Sequence, residues 1–469
     1  MALPEFIACG VSDGEAAVLY SQDQNHWSFA PAVYTPGGGG PFASFQVSGI
    51  DATPDTVVAA TLYNNFRPCS LEINRGTWLE DDIFWQDVTP GGSYNGFQNC
   101  NSFTGTPVST NGEGVWLIGL GLYFGGNLTY QAPNVLRSTN DGITWDQHLL
   151  IGNDYPGTNI STRCFCLGNG IWLAGGWATG TLTNVDSELL LLPPAPPMYY
   201  STDTGLTWTP CNTPLNTLVY PELFTSPIDF YEAANVAVTC ITYDGVGRYV
   251  AGVWVPWGDT PEFGSELSTP CLMTSSDGIN WEFAPSPFDG PTFSGTFWSG
   301  VSGVAYGKGT WLAIGNHTTA STTEGMACVS PDGINWTVAP EAPPGSGFFN
   351  FGSPVGSFMG FVYYTGRPAN APTTTNGRGF PAFSLPGDYR SKQAATGWGT
   401  FGGPDFPTDN ITLLDMTWTK KPVAGGVPIR QFPRDDNLAL GTTRIAGLGI
   451  GQPSSGQSSV RQGFRGVYW

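Results

Sequence analysis

Charge, histidine and long apolar runs are all scarce in this 469-residue chain. Charged residues make up 12%, and 37 acidic side chains outweigh 17 basic ones, for a formal net charge of −20. A surface of that sign repels a nucleic-acid duplex and an anionic membrane, so neither is expected as a partner. No run of five like charges occurs, and the acidity reads as solubility rather than as an acidic tail. The most apolar run, "ELLLLPPAPPMYY", is broken by prolines and falls far short of a ~20-residue membrane span. The opening "MALPEFIACGVSDG" has neither a basic segment nor an apolar one, so no secretory leader is expected. With 3 His and no Cys-x-x-Cys pair, no metal site is expected. No glycine-rich loop precedes a Lys and a helix, so no nucleotide cofactor is expected either. The 9 Cys are odd in number, and Cys9, Cys164, Cys166, Cys240 and Cys328 lie in apolar, strand-like runs. They read as small buried hydrophobes of a reduced protein, with Cys164 and Cys166 on one side of a strand.

What the chain does have is 64 Gly, 39 Pro and 13% aromatic residues. Aromatics gathered in short runs between Gly, Asn, Asp and Pro are strand-and-turn composition. No long stretch carries apolar residues at helical spacing. Stretches ending in Trp recur. "SQDQNHW" ends at Trp27, "STNDGITW" at Trp145, "STDTGLTW" at Trp208, "SSDGINW" at Trp281 and "SPDGINW" at Trp336. Weaker copies are "LEDDIFW", ending at Trp85, and "SKQAATGW", ending at Trp398. Successive Trp positions are 58, 60, 63, 73, 55 and 62 residues apart, a rhythm that suits a four-stranded propeller blade with generous loops. Upstream of most copies comes a Gly-rich turn and then an aromatic–aliphatic strand: "NGEGVWLIG", "GNGIWLAGG", "DGVGRYVAG", "GKGTWLAIG". Each unit therefore reads as four antiparallel strands.

The chemistry of the repeated stretch is that of a turn. Ser21, Ser138 and Ser201, with Asp23, Asp81, Asp203, Asp277 and Asp332, are placed to bond backbone N–H groups of their own hairpins. Gly142, Gly205, Gly278 and Gly333 supply a positive φ. Trp27, Trp85, Trp145, Trp208, Trp281 and Trp336 fold back to bury a large apolar face while the indole N–H seeks an acceptor. "STDTGLTW" resembles the Asp-box, or BNR repeat, of the sialidase-like propellers; "SPDGINW" departs from it by one residue between Asp and Gly. The resemblance implies an all-β fold: a seven-bladed β-propeller of four-stranded antiparallel blades.

Only two strand-like runs precede the first repeat, and the chain ends "GFRGVYW", similar to the opening strand "VSGVAYG". The C-terminal strand is thus expected to pair with the N-terminal blade, removing a free sheet edge. On this reading residues 1–398 and 460–469 form the propeller, and 399–459 is a Pro/Gly-rich insertion, an interaction arm or an extra blade. Tyr220, Phe224, Phe230 and Tyr231, in a long loop, and Trp418, in the insertion, are candidate contact residues.

Catalytic residues are not legible. The early Arg motif of sialidases is missing, since the first Arg is Arg67, and no G-x-S-x-G elbow accompanies a His. The repeat acids read as structural. The low Lys content, the "SxDGxxW" form and the lack of a leader resemble proteins of tailed bacterial viruses. That resemblance implies a non-enzymatic virion protein, in particle structure, decoration or host-glycan recognition, with other virion proteins or further copies of itself as partners. A sialidase-like glycoside hydrolase and a cellular assembly-factor propeller are the alternatives.

Overall fold

The computed structural model describes residues 6–12, 15–21, 27–30, 44–64, 70–79, 82–89, 107–120, 135–148, 159–179, 181–185, 188–192, 196–217, 236–254, 272–285, 297–307, 309–318, 323–338, 354–357, 360–363, 382–384, 398–400 and 411–418. The chain divides into two compact units, Met1–Pro428 and Ile429–Trp469, and every described residue belongs to the first. Among the described residues the only helical element is one 3-10 turn, Pro214–Thr217. No helix among them is long and apolar enough to cross a membrane.

Everything else is antiparallel sheet. Strands Ser44–Ala52, Thr56–Asn64, Ser70–Leu79 and Asp82–Asp87 pair in chain order. So do Val108–Thr110, Trp116–Gly119, Val135–Ser138 and Asp146–His148. Phe297–Gly307, Thr310–Thr318, Thr323–Ser330 and Thr337–Val338 repeat the order, as do Pro354–Ser357, Gly360–Tyr363, Ala382–Ser384 and Trp398–Thr400. Two further groups of four, Asn159–Gly168, Ile171–Thr179, Met198–Ser201, Thr209–Pro210 and Val236–Tyr243, Tyr249–Trp254, Leu272–Ser275, Glu282–Phe283, are joined where Trp177 and Ala178 pair with Ala237 and Val236. Thr181–Val185 and Glu188–Leu192 form a separate hairpin.

The N-terminal sheet has the order Trp27–Phe29, Glu15–Ser21, Phe6–Ser12, Ile411–Trp418. This corrects the sequence-based expectation. Ile411–Trp418 occupies the far edge of Phe6–Ser12, with Phe6 opposite Trp418 and Ser12 opposite Ile411. Glu15–Ser21 holds the other edge, so both edges of Phe6–Ser12 are taken by described strands; residues 460–469 lie outside the described residues. The stretch read as an insertion thus carries a sheet strand, and Trp418 belongs to that strand rather than to a loop. The signal was present: "ITLLDMTW" is a short apolar and β-branched run flanked by polar residues, but it lacks the Gly-rich turn that marks the other strands.

Each opening strand lies against the next. Ser44–Ala52 is followed by Val108–Thr110, Asn159–Gly168, Val236–Tyr243, Phe297–Gly307, Pro354–Ser357 and Ile411–Trp418, which lies in turn against Ser44–Ala52. The core is accordingly a series of sheet-on-sheet layers. Ile7, Cys9 and Val18 pack on Val47, Ile50 and Val57; Val58 and Ile73 on Trp116 and Leu136; Leu117 and Val135 on Trp172 and Tyr199. Cys164, Cys166 and Leu173 pack on Val238 and Tyr249; Cys240 and Val250 on Val301 and Trp311. Trp116, Trp172 and Trp311 are at most 2% exposed. Burying side chains of that size stabilises by roughly 2–3 kcal/mol each. The six described cysteines are buried, and Cys164 and Cys166 share one core layer.

A glycine in the second strand of a sheet lets the next sheet approach. A Cβ on Gly119 would lie 2.8 Å from Thr162 Cγ2; on Gly175, 2.7 Å from Val238 Cγ1; on Gly252, 2.7 Å from Val301 Cγ1. Real Cβ atoms do not tolerate such distances, and the obstacle is a stiff, β-branched neighbour. Gly175→Ala is expected to lower stability in chemical denaturation by about 1–3 kcal/mol through overpacking. Val238→Ala introduced with it restores part of that loss. Strictly additive effects of the two substitutions would show that the two sheets do not meet at this point.

Candidate functional site

The residues singled out by the repeat converge on four turns: Ser138–Trp145, Ser201–Trp208, Ser275–Trp281 and Ser330–Trp336. In each the serine Oγ accepts the N–H of the turn glycine, at 3.0, 2.9, 2.9 and 2.8 Å respectively. The same hydroxyl donates to the side chain two residues on: Asn140, Asp203, Asp277 or Asp332. One carboxylate oxygen then accepts two backbone N–H groups. Asp203 takes those of Leu206 and Thr207, Asp277 those of Ile279 and Asn280, and Asp332 those of Ile334 and Asn335, all at 2.8–3.1 Å. The second oxygen accepts from the Thr207 hydroxyl, or from the Asn280 or Asn335 amide. The glycines have φ of 73–82°. The indole N–H of Trp145, Trp208 and Trp281 donates to the carbonyl of its own turn glycine. Trp336 Nε1 has no partner among the described residues.

The two lengths of the motif have a backbone cause. The longer form carries one extra residue before the glycine, Asp141 or Thr204, and both are left-handed, with φ of 60° and 61°. The shorter form omits that residue and closes with the glycine alone in the left-handed region.

The structure supplies one capturing side chain that the sequence left unassigned and changes one sequence-based assignment. In the turn ending at Trp145 the capturing side chain is Asn140, whose Oδ1 accepts the Thr144 N–H and whose Nδ2 donates to the Thr144 hydroxyl. Asp141 instead faces the neighbouring sheet. Its carboxylate accepts from Arg75 Nη2 and the Thr56 hydroxyl, each at 2.7 Å, and from Trp116 Nε1 at 3.1 Å. Trp85 follows no such turn. It sits inside strand Asp82–Asp87 opposite Gly76, and with Leu79 opposite Asp82 only residues 80–81 separate the two strands. Asp81 and Asp23 lie outside the described residues, as do Tyr220, Phe224, Phe230 and Tyr231. Ser21 ends strand Glu15–Ser21, and Trp27 opens Trp27–Phe29, opposite it.

Each turn also clasps the sheet before it. The space left by the missing glycine side chain is filled by an aliphatic residue of the preceding sheet: Val58 at Gly142, Leu117 at Gly205, Leu173 at Gly278 and Val250 at Gly333. Arginines add polar ties. Arg75 Nε donates to the Asp141 carbonyl at 2.7 Å, and Arg137 Nε to the Thr204 carbonyl at 2.8 Å. Sequence reasoning missed both arginines, because the contacts join positions more than sixty residues apart.

Electrostatically these carboxylates are held as anions. Burial opposes ionisation of Asp203, but hydrogen bonds from the Thr207 side chain and backbone and from Ser201 outweigh it, and its pKa is lowered to about 2. Asp277 and Asp332 are likewise lowered to about 2, against the effect of burial, by the backbone and side chain of Asn280 and of Asn335. Burial, then the Arg137 charge, lowers His148 below the usual histidine value. A carboxyl with a pKa near 2 and its acceptor sites occupied is a poor general acid or base at neutral pH. The turns are built to hold backbone. Among the described residues no cluster of His, Cys, Asp or Glu could hold a metal ion.

No family model matches this chain, and no curated protein matches it. Solved structures do. The phage phi92 endosialidase aligns over 79% of this chain and 61% of its own length, at 13% identity and a TM-score of 0.36. An α-L-arabinanase of Penicillium chrysogenum, complexed with arabinobiose, aligns over 75% of this chain and 79% of its own, at 11% identity and a TM-score of 0.33. A mutant of Trypanosoma rangeli sialidase displaying trans-sialidase activity aligns over 70% of this chain and 52% of its own, at 12% identity and a TM-score of 0.32. The chain thus spans about three-fifths of the phage phi92 endosialidase.

Acid sensitivity follows from the turn geometry. A carboxylate whose folded pKa lies below the free value of about 3.9 contributes stability that is complete above pH ~4 and is lost as pH falls through its folded pKa. For Asp203, Asp277 and Asp332 that window runs from about pH 4 to about pH 2. Asp203→Asn, which copies the Asn140 turn, is expected to stay within about 0.5 kcal/mol of wild type at pH 7 and to flatten the acid limb of the stability curve. Asp203→Ala leaves the turn donors uncaptured and is expected to lose about 1–3 kcal/mol. Equal losses for the two variants in urea titrations would contradict this account of the turn.

Proposed function

We propose that the chain is a seven-bladed β-propeller with Asp-box turns, closed by strand Ile411–Trp418. We further propose that it serves as a non-enzymatic structural or recognition protein on a bacteriophage virion, with host-surface glycan as ligand. The closure reading is supported by the cyclic succession of opening strands and by the pairing of Ile411–Trp418 with Phe6–Ser12. One observation carries the non-enzymatic reading: the recurring acids, the strongest chemical candidates in the sequence, are hydrogen-bonded within their own turns as low-pKa anions. Those turns stiffen a scaffold, and a stiff scaffold presenting long aromatic-bearing loops suits recognition. The acidic balance and the Gly- and Thr-rich repeat agree with a particle-surface setting.

Two measurements test this. Leu413 sits opposite Gly10, inside the closing pair. Leu413→Pro removes a backbone donor from that strand and is expected to lower stability by about 3 kcal/mol or more, whereas Val467→Pro is expected to leave it unchanged. The reverse order would return closure to the C-terminal segment. A glycan array run beside a panel of fluorogenic glycosides is expected to give binding without turnover. Turnover of any glycoside would replace the recognition reading with a hydrolase.

A further inference from the structure

His148 closes Asp146–His148, the last strand of the sheet that begins at Val108–Thr110. It lies opposite Val135, and Asp146 lies opposite Arg137, so all four share one face of that strand pair. Val135 packs on Trp172 and Tyr199, which makes this the face turned to the next sheet. Arg137 reaches across, with Nε on the Thr204 carbonyl and Nη2 on the Thr204 hydroxyl, both at 2.8 Å. His148 meets the backbone of Leu206, further along the same turn, in a hydrogen bond that favours the protonated ring; the group it meets is therefore the carbonyl.

That carbonyl has a counterpart. Ile279 holds the same place in the Ser275–Trp281 turn, one residue after the glycine, and its carbonyl accepts the backbone N–H of Asn212 at 2.9 Å. Asn212 follows Thr209–Pro210, the last strand of its sheet, as His148 ends the last strand of its own. One position in the turn is thus held twice from the preceding sheet. In one case the donor is a backbone group that does not titrate, and in the other it is an imidazole that does.

We propose that His148 is a proton-sensitive clasp: neutral, it fastens the Ser201–Trp208 turn to the sheet before it, and on protonation it lets that turn loosen. The charged groups set against the ring are Arg137 on the adjacent strand, Asp146 on its own strand and Asp203 in the facing turn. The two carboxylates favour the imidazolium, but burial and the Arg137 charge oppose it and prevail. Nε2 is buried with no partner among the described residues. An imidazolium carries N–H on both nitrogens, so it leaves a buried donor at Nε2 without an acceptor. Because the folded pKa lies below the ordinary 6.5, the unfolded chain takes up the proton more readily. The contribution of His148 is therefore complete above about pH 6.5 and is lost as pH falls through the folded value. Asp203, lowered to about 2, stays ionised throughout that range. The inference goes beyond the functional reading above and does not depend on its ligand.

The test is amide hydrogen exchange on the full chain from about pH 7.5 to about pH 5, with one turn as control for the other. The Leu206 and Thr207 amides donate to Asp203, and the Ile279 and Asn280 amides donate to Asp277 in the turn backed by Asn212. After correction for the intrinsic dependence of exchange on pH, protection at Leu206 and Thr207 is expected to fall about threefold or more towards pH 5, while protection at Ile279 and Asn280 holds. His148→Gln keeps a side-chain donor and takes up no proton, and it is expected to abolish the difference. Should that variant fail to fold, the comparison of the two turns in the wild-type chain still decides. Ring NMR on a chain with 3 His is expected to show His148 titrating below 6.5. A constant ratio between the two turns across this range, a pH-dependent ratio that persists in His148→Gln, or a His148 that titrates at or above 6.5 would overturn the proposal. None of these readouts involves a glycan, so loss of glycan binding and loss of the clasp are separate results.

Discussion

The structure depends on one constraint: a glycine at positive φ, seated on an aliphatic side chain of the preceding sheet. At Gly142, Gly205, Gly278 and Gly333 the missing side chain leaves room for Val58, Leu117, Leu173 and Val250. The same turn is closed from within by serine and Asp or Asn, which capture the backbone donors that a tight turn leaves over. Local turn chemistry and inter-sheet packing are thus satisfied by the same few residues. A side chain at Gly142, Gly205 or Gly333 strains the turn and at the same time crowds the preceding sheet, whereas at Gly278, with its neighbours at 3.4–3.5 Å, the strain is in the turn alone.

The aromatic–aliphatic strand divides its labour residue by residue. In "WLIG", Trp116 reaches the turn of its own sheet through Asp141, Leu117 packs on the turn of the next sheet, and Gly119 admits the opening strand of the next sheet. "WLAG" at Trp172 and "YVAG" at Tyr249 follow the same plan through Leu173, Gly175, Val250 and Gly252. The core is therefore distributed as layers between sheets, and cysteine fits it as a small apolar filler. Burial pushes the Cys166 thiol up to about 12 and the Cys240 thiol to about 11, so neither is a nucleophile at neutral pH.

Acidity has a local meaning here. Asp203, Asp277 and Asp332 are held as anions because their own turns supply hydrogen-bond donors. Asn140 does the same task without charge, which shows that acceptor geometry, more than charge, is what the position requires. Asp141, adjacent and ionisable, serves the contact between sheets through Arg75 and Thr56.

Strands and turns are legible in the residues alone. Period-two aromatic runs, Gly-rich connections and the Ser–Asp–Gly–Trp spacing are short-range signals, and the hydrogen bonds they encode close within four residues. Even the one-residue difference between the two turn lengths was visible, though its left-handed residue was not. What crosses from sheet to sheet emerges only once the sheets are packed: Arg75 on Asp141, Arg137 on Thr204, Asp51 accepting the Thr110 N–H, and Ile411–Trp418 beside Phe6–Ser12. Such contacts span from about sixty to about four hundred residues and leave no periodic trace. To pair with Phe6–Ser12, a strand such as Ile411–Trp418 needs only a short unbroken β-forming run, and that requirement is too weak to be read from the residues before the partner edge is in place.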